Sequence, residues 1–446
     1  MAADRDWNVP RRSRTLRRRR VYRGACIGLL LLAGGCATYR GSMQDVDMAL
    51  AANRPDAALK ALQPLSGGHS EALYLLNRGM ILRMQGDYAD SVAAFEGAKH
   101  LMEYLEATSL TETAGALTLS ENLRSYEGAL YERLLLHVYQ SLNYLQLGKP
   151  DAALVEVQQI DLLLRRLYPQ TDAAPHGGDA FARYFSGLVY EDLGQWSDAM
   201  IAYRQAYQAY HAEGVPDDAI PPDLQLSLCR FADYLGLTQE LADYKRRFGI
   251  DSWPPVMADG GDPDGQLVFI FNNGLAPNKI PIQSVVQSPV NFHFYTIALP
   301  SLKRRVPAVG DAVVQVSGQD ATTQRVESIA ADAARALAAA MPKLIADEVA
   351  RNVIREVAAN QVDKKHQGMG AFVSLFGALV DQPDTRIWNT LPDDIQLARL
   401  RLPPGTYNVT VQLMGRYGGV VTTRVFNNVV IQAGRMTFTS WHWVSF

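Results

Sequence analysis

The sequence predicts a helical repeat array, an α-solenoid, followed by a mixed α+β domain with antiparallel strands. Three observations lead there. Small and aromatic residues recur at fixed offsets within 51–250. A Pro-, Gly- and Asp-rich stretch, 251–265 (DSWPPVMADGGDPDG), then interrupts the chain as a linker. Beyond it, over 266–446, apolar residues alternate as in strands, apart from one helical block at 322–365.

The N-terminus comes first in chain order. The first 23 residues hold nine arginines and no lysine, and an apolar stretch from Ala25 to Ala33 and Gly34-Gly35-Cys36 follow. Positive region, short apolar region and small residues at a cut are the order of a signal peptide over 1–35. An apolar stretch of about 10 residues is too short for a spanning helix, which needs about 20. The cut resembles a lipobox, with Ala33 where Leu is usual. That resemblance implies lipidation of Cys36, with 36–50 as tether. Two or three acyl chains anchor a protein stably, whereas one does not. Ala37 in place of Asp implies the outer membrane, on its periplasmic face. An arginine-rich nucleic-acid arm is the rival reading, and the apolar segment and Cys that follow argue against it.

Nine of the 43 basic and two of the 46 acidic side chains lie in 1–35, so the remainder carries a net charge of about −10. That excludes a basic nucleic-acid footprint. Of three cysteines, Cys26 leaves with the signal and Cys36 is acylated, so Cys229 has no intrachain partner and reads as a small buried hydrophobe.

Within 51–250, aligning Gly79 with Gly187 places Leu82 on Tyr190, Gly86 on Gly194, and Tyr88 on Trp196. Ser91 then falls on Ala199, Phe95 on Tyr203, and Ala98 on Ala206. A third copy places Ser141, Tyr144, Gly148, Ala153 and Val157 at the same offsets. This is the tetratricopeptide-repeat (TPR) pattern. Small residues let two helices approach, and the Gly after the first helix ends it. A partial copy surrounds Pro55 and Ala58, and a weak one surrounds Gly236. Spacings of 62 and 46 residues between Gly86, Gly148 and Gly194 demand insertions, placed at Tyr104 to Tyr126 and Thr171 to Asp179. Stacked repeats leave a concave surface suited to a protein partner. Tyr139, Tyr190 and Tyr207 either line that surface or pack between helices.

In 266–446, strands are expected at Gln266–Phe271, Asn291–Leu299, Ala312–Val316, Thr406–Leu413, Gly418–Val430 and Met436–Val444. The helical block should start at Thr322 and break at Pro342. Ala371–Val380 (AFVSLFGALV) is too short to span a bilayer and reads as a core helix or a membrane- or partner-touching one.

The chain resembles a family of TPR-containing lipoproteins of the Gram-negative outer membrane. The resemblance rests on Tyr126-Glu127-Gly128 with Tyr131-Glu132-Arg133, on Asp179-Ala180-Phe181 through Tyr190-Glu191, and on Phe271–Pro277. It ends in Asp384-Thr385-Arg386-Ile387-Trp388 with Thr390-Leu391-Pro392, where the family usually has Ser in place of Ile387. Members of that family often sit near genes for lipoproteins that activate cell-wall synthases, which implies a setting in the cell envelope, and the family supplies no catalytic residues.

Nothing in the sequence points to an enzyme or a cofactor. No two of the eight histidines lie within five residues, and there is neither a P-loop nor a G-x-S-x-G elbow. Asp384, Arg386 and Trp388 form the most site-like cluster. They share one face of an extended segment, and either hold a ligand or pin a loop. The expected function is a lipid-anchored scaffold or adaptor that binds a protein partner through the TPR groove. The alternatives are a C-terminal domain acting on peptidoglycan or glycan, and a structural subunit of an export or surface assembly.

Overall fold

The computed structural model describes residues 34–109, 126–167, 179–256, 263–365 and 383–446. The arginine-rich and apolar segment before Gly34, the run Ala371–Val380 and most of both expected insertions lie outside them, as do the centre of the linker and the side chain of Cys36.

Among the described residues, ten helices form five consecutive hairpins. They are α1 (Gly34–Ala51) with α2 (Pro55–Leu62), α3 (Glu71–Gln85) with α4 (Tyr88–Ser109), and α5 (Leu130–Gln146) with α6 (Pro150–Leu167). Then come α7 (Ala180–Asp192) with α8 (Trp196–Ala212), and α9 (Pro222–Tyr234) with α10 (Thr238–Phe248). Each hairpin turns on one left-handed residue: Asn53, Gly86, Gly148, Gly194 and Gly236, with φ of 53, 87, 67, 70 and 69°. Gly takes that conformation without a Cβ penalty, and Asn is the next best tolerated. The turn at Asn53 completes a first hairpin of which the sequence showed only the second helix.

The C-terminal half is a two-sheet sandwich. One sheet has the order β10-β1-β7-β6, from β1 (Gly265–Asn273), β6 (Gln324–Ser328), β7 (Asp394–Leu402) and β10 (Met436–Trp443). The other has the order β5-β4-β8-β9, from β4 (Val309–Val316), β5 (Gln319–Thr322), β8 (Gly405–Gly415) and β9 (Val420–Ile431). A separate two-stranded ribbon, β2 (Asn278–Gln287) with β3 (Phe294–Lys303), packs on the long helix α11 (Ile329–Lys365).

Strand β1 explains the layering. Leu267, Phe269 and Phe271 face the second sheet, while Val268 and Ile270 join the core shared with the helices. A strand covered on both faces reads as an unbroken apolar run rather than an alternating one, which is why QLVFIF stood out.

Three expectations are corrected. The strands are not all antiparallel, because β1 and β10 pair in parallel from Gln266 with Met436 to Asn273 with Trp443. Residues 322–328 are not helical, since Gln324–Ser328 pairs with β7. Val326 and Ile329 are both buried, and their three-residue spacing matches a helix face, although Val326 lies in the strand and Ile329 opens the helix. Nor does Pro342 break α11, which runs 37 residues through it. Pro342 and the preceding turn at 338–340 are exposed, so water can satisfy the carbonyl that proline frees.

Candidate functional site

The repeat residues meet as their spacing requires. A Cβ placed on Gly79 would lie 2.4 Å from the ring of Phe95, and one on Gly187 would lie 2.3 Å from the ring of Tyr203. In the third hairpin Ser141 replaces that glycine and Val157 replaces the aromatic, so room is restored at the same crossing. The Ser91 hydroxyl donates to the Gly79 carbonyl at 2.8 Å, and the Ser141 hydroxyl to the Ala153 carbonyl at 3.0 Å. Ala98, Ala153, Ala199 and Ala206 are buried at their crossings, Leu82 is also buried and Tyr144 is half-buried. Trp196 packs 3.5 Å from the position a Gly194 Cβ would take. Tyr88 opens α4 beneath the Arg83 guanidinium, 5.7 Å away.

The expected binding face is occupied by the chain itself. The first helices of hairpins two to five carry residues that bond to the C-terminal half. On α3, Asn77 accepts from the Thr390 amide and hydroxyl at 3.1 and 2.9 Å. On α5, the buried Glu132 accepts from the Trp388 amide at 2.8 Å and the Ala129 amide at 2.7 Å, and also from the Tyr126 hydroxyl. The Tyr139 hydroxyl donates to Asn272 at 2.8 Å. On α7, Glu191 pairs with Arg399 and Arg230, both at 3.0 Å, and Asp192 with Arg435 at 2.8 Å. On α9, Ser227 accepts from Arg399 at 3.2 Å. Burial alone would raise the Glu191 carboxyl, but Arg399 and Arg230 outweigh it and hold it at about 2. Glu132, Glu191, Asn272, Trp388 and Thr390 therefore lie along this seam.

Of the aromatics read as lining the groove or packing between helices, Tyr139 is fully buried. Tyr190 and Tyr207 are buried against neighbouring turns, their hydroxyls bonded to Asp161 at 3.3 Å and Asp217 at 2.7 Å. The structure brings Asp384 and Arg386 together: the guanidinium spans both carboxylate oxygens at 2.9 and 2.7 Å and donates onward to the His69 carbonyl at 3.1 Å. Trp388 is not beside them in an open cleft. It is fully buried, edge-on to Phe95 and Tyr139 at 5.7 and 6.3 Å. That geometry pins a strap, Asp384 to Pro392, onto the helices.

An exposed apolar surface lies elsewhere. At the tip of the β2–β3 ribbon, Val285, Val290, Phe292 and Phe294 are 69, 74, 71 and 71% exposed. Phe292 has a φ of 60°, rare for an aromatic residue. Bonds from its amide to the Ser288 carbonyl and from the Gln287 side chain to its own carbonyl hold it there. Glu356 of α11 clamps the ribbon through Tyr295, His293 and Asn291. The strand expected at Asn291–Leu299 contains Phe292 and Phe294, but β3 begins only at Phe294, and its partner β2, with Pro281 in it, carries no strand reading in the sequence. Among the described residues no helix is long and apolar enough to cross a membrane, and no group of three or more His, Cys, Asp or Glu could hold a metal ion.

No family model and no curated protein matches the chain. Among solved structures it is similar to a chain described as MamA MSR-1 C2, at 11% identity over 47% of this chain and 92% of that one, with a TM-score of 0.27. It is also similar to a tetratricopeptide repeat protein from Parabacteroides merdae, at 14% identity over 49% of this chain and 81% of that one, with a TM-score of 0.22.

Proposed function

We propose that the chain is a protein-interaction scaffold in envelope or cell-wall assembly, tethered by lipid on Cys36 to the periplasmic face of the outer membrane. Its docking surface is the β2–β3 tip rather than an open repeat groove. The carrying observation is Phe292: a large aromatic side chain held outward in a costly backbone conformation, with Val285, Val290 and Phe294 exposed beside it. Such strain persists only where surrounding structure enforces it, and it clusters at functional sites. Exposed apolar clusters of this kind mark interaction surfaces. The occupant is a protein, since a chain with a net charge of about −10 beyond the signal segment gains nothing from an anionic lipid surface. The self-filled repeat face supports the same reading, because the helices are committed to holding the sandwich.

The test is photo-crosslinking in intact cells from a photoreactive residue at position 292. The expected result is one reproducible protein adduct, lost in a Phe292→Ser, Phe294→Ser variant and unaffected by Tyr190→Phe. Adducts with lipid alone, or none, would overturn the docking surface. In the same cells, Cys36→Ser should abolish fatty-acid labelling and move the protein out of the membrane fraction. Retention with full labelling would remove the anchor.

A further inference from the structure

The arginines of the seam share a rule that one of them breaks. Arg399 and Arg230 meet Glu191, Arg435 meets Asp192, Arg305 meets Asp47 at 2.6 Å, Arg304 meets Asp393 and Arg386 meets Asp384. Arg83 on α3 is only 8% exposed and has no carboxylate partner among the described residues. Its hydrogen bonds are to neutral groups: the Tyr139 carbonyl at 3.3 Å, the Asn143 side chain and the Ser440 hydroxyl at 3.3 Å. Burial pushes its pKa down, and only the neighbouring phenols of Tyr88 and Tyr139 oppose the shift. Three of the five N–H donors of a guanidinium are thus in use. A buried cation left uncompensated is costly, and a chain keeps one where something else supplies the charge.

Arg83 lines a cavity of about 190 Å³ between the second hairpin and strands β9 and β10. An apolar cavity of roughly 150 Å³ accommodates a benzene ring, so the space suits a body of six to ten heavy atoms. A second arginine, Arg424, stands at the rim. Its guanidinium lies over Phe426 and Trp441 at 4.5 and 5.6 Å, again without a carboxylate partner among the described residues. Three polar atoms of lining residues are buried without a hydrogen-bond partner among the described residues: Gln85 Oε1, the Thr439 hydroxyl and His442 Nδ1. His442 Nε2 is 2.8 Å from the Gly274 carbonyl, so Nε2 carries the proton and Nδ1 is left as an acceptor. Met80, Met84 and Val444 supply apolar wall.

We propose that this cavity binds a small organic oxyanion that also carries a hydroxyl or amino group. Arg83 takes the anionic group at the floor, Arg424 closes over it at the rim, and His442 Nδ1 and the Thr439 hydroxyl meet its polar substituents. A guanidinium fork matches carboxylate and phosphate oxygens alike, so the recognised chemistry is the planar or tetrahedral oxyanion. The site is independent of the β2–β3 tip and of any protein partner.

The test is calorimetric titration of the full-length purified protein with three probes at constant ionic strength. These are inorganic phosphate, lactate and glycerol phosphate, with glycerol as the uncharged control. Saturable 1:1 binding of at least one anion and none of glycerol is expected. Arg83→Gln should weaken that binding tenfold or more. Arg424→Gln alters an exposed side chain that the fold does not need, and should weaken it at least threefold. His442→Phe should weaken glycerol phosphate or lactate more than phosphate. Absence of saturable binding, or binding unchanged by Arg424→Gln, would overturn the site.

Discussion

At the scale of single residues, a helix crossing is set by one missing methyl group. Alanine is worth about 1 kcal/mol more than glycine inside a helix, so Gly79→Ala would stabilise an isolated α3. In the folded protein the new Cβ meets the Phe95 ring at 2.4 Å. Overpacking of this kind costs about 1–3 kcal/mol, and it wins because the ring is fully buried and wedged against Trp388. Gly79→Ser should therefore lower the urea midpoint by the equivalent of about 2 kcal/mol. The pair Gly79→Ser with Phe95→Val recreates the Ser141 and Val157 crossing, and should be more stable than the sum of the two single changes by at least about 1 kcal/mol. Strict additivity would show that the two side chains do not compete for one space. The glycine–aromatic pair was legible in the sequence because both members are unusual residues. The Ser141–Val157 version was legible only by alignment, and the turn at Asn53 was missed because Asn is common in many conformations.

At the scale of elements, the strap Asp384 to Pro392 carries more of the assembly than its length suggests. Its sequence reads either as a ligand site or as a pinned loop, because it holds an acid, a base and a Trp at spacing two. What spacing could not show is the partner of each: Arg386 reaches the His69 carbonyl, and the Trp388 amide reaches Glu132, across more than 250 positions of chain. Long-range burial has no local signature, and the same holds for β7, whose partners β1 and β6 are also far in sequence. Trp388→Ala removes a fully buried indole and should cost about 3–5 kcal/mol. Asp384→Ala leaves the Arg386 guanidinium short of two bonds and should cost about 1–3 kcal/mol. Urea unfolding followed by far-ultraviolet circular dichroism checks both. A loss below about 1 kcal/mol for Trp388→Ala would mean that the strap is not a fastening.

At the scale of the whole molecule, the helical and sheet halves are joined by one apolar core that runs from Leu73 through Phe185 to Val268, Trp388 and Phe438. The composition shift at 251–265 marked a real change of architecture. It could not reveal that the two halves bury each other, because the apolar faces of repeat helices look the same whether they wait for a partner or already have one. Shared burial also sets the response to pH. Where α11 meets the helices and β6, burial raises the Asp332 carboxyl to about 7 and Glu327 well above its ordinary range, with Glu213 close by and Arg335 as the counter-charge. Burial likewise raises Asp394 to about 6. These groups keep protons in the folded state that the unfolded chain releases near pH 4, so their contribution to stability is full below that and declines as pH rises to about 7. Other groups act the opposite way: burial lowers His442 from 6.5 to about 4, so its contribution is lost as pH falls across that range, and Arg399 and Arg230 hold Glu191 at about 2, so its contribution is lost below about pH 4.5. The urea midpoint should accordingly be higher at pH 5.5 than at pH 7.5, and Asp332→Asn should flatten that slope while leaving the acid limb in place. A midpoint that rises steadily from pH 5.5 to 7.5 would show that Glu327, Asp332 and Asp394 are ionised without cost, and that the seam holds its charges as well as water does.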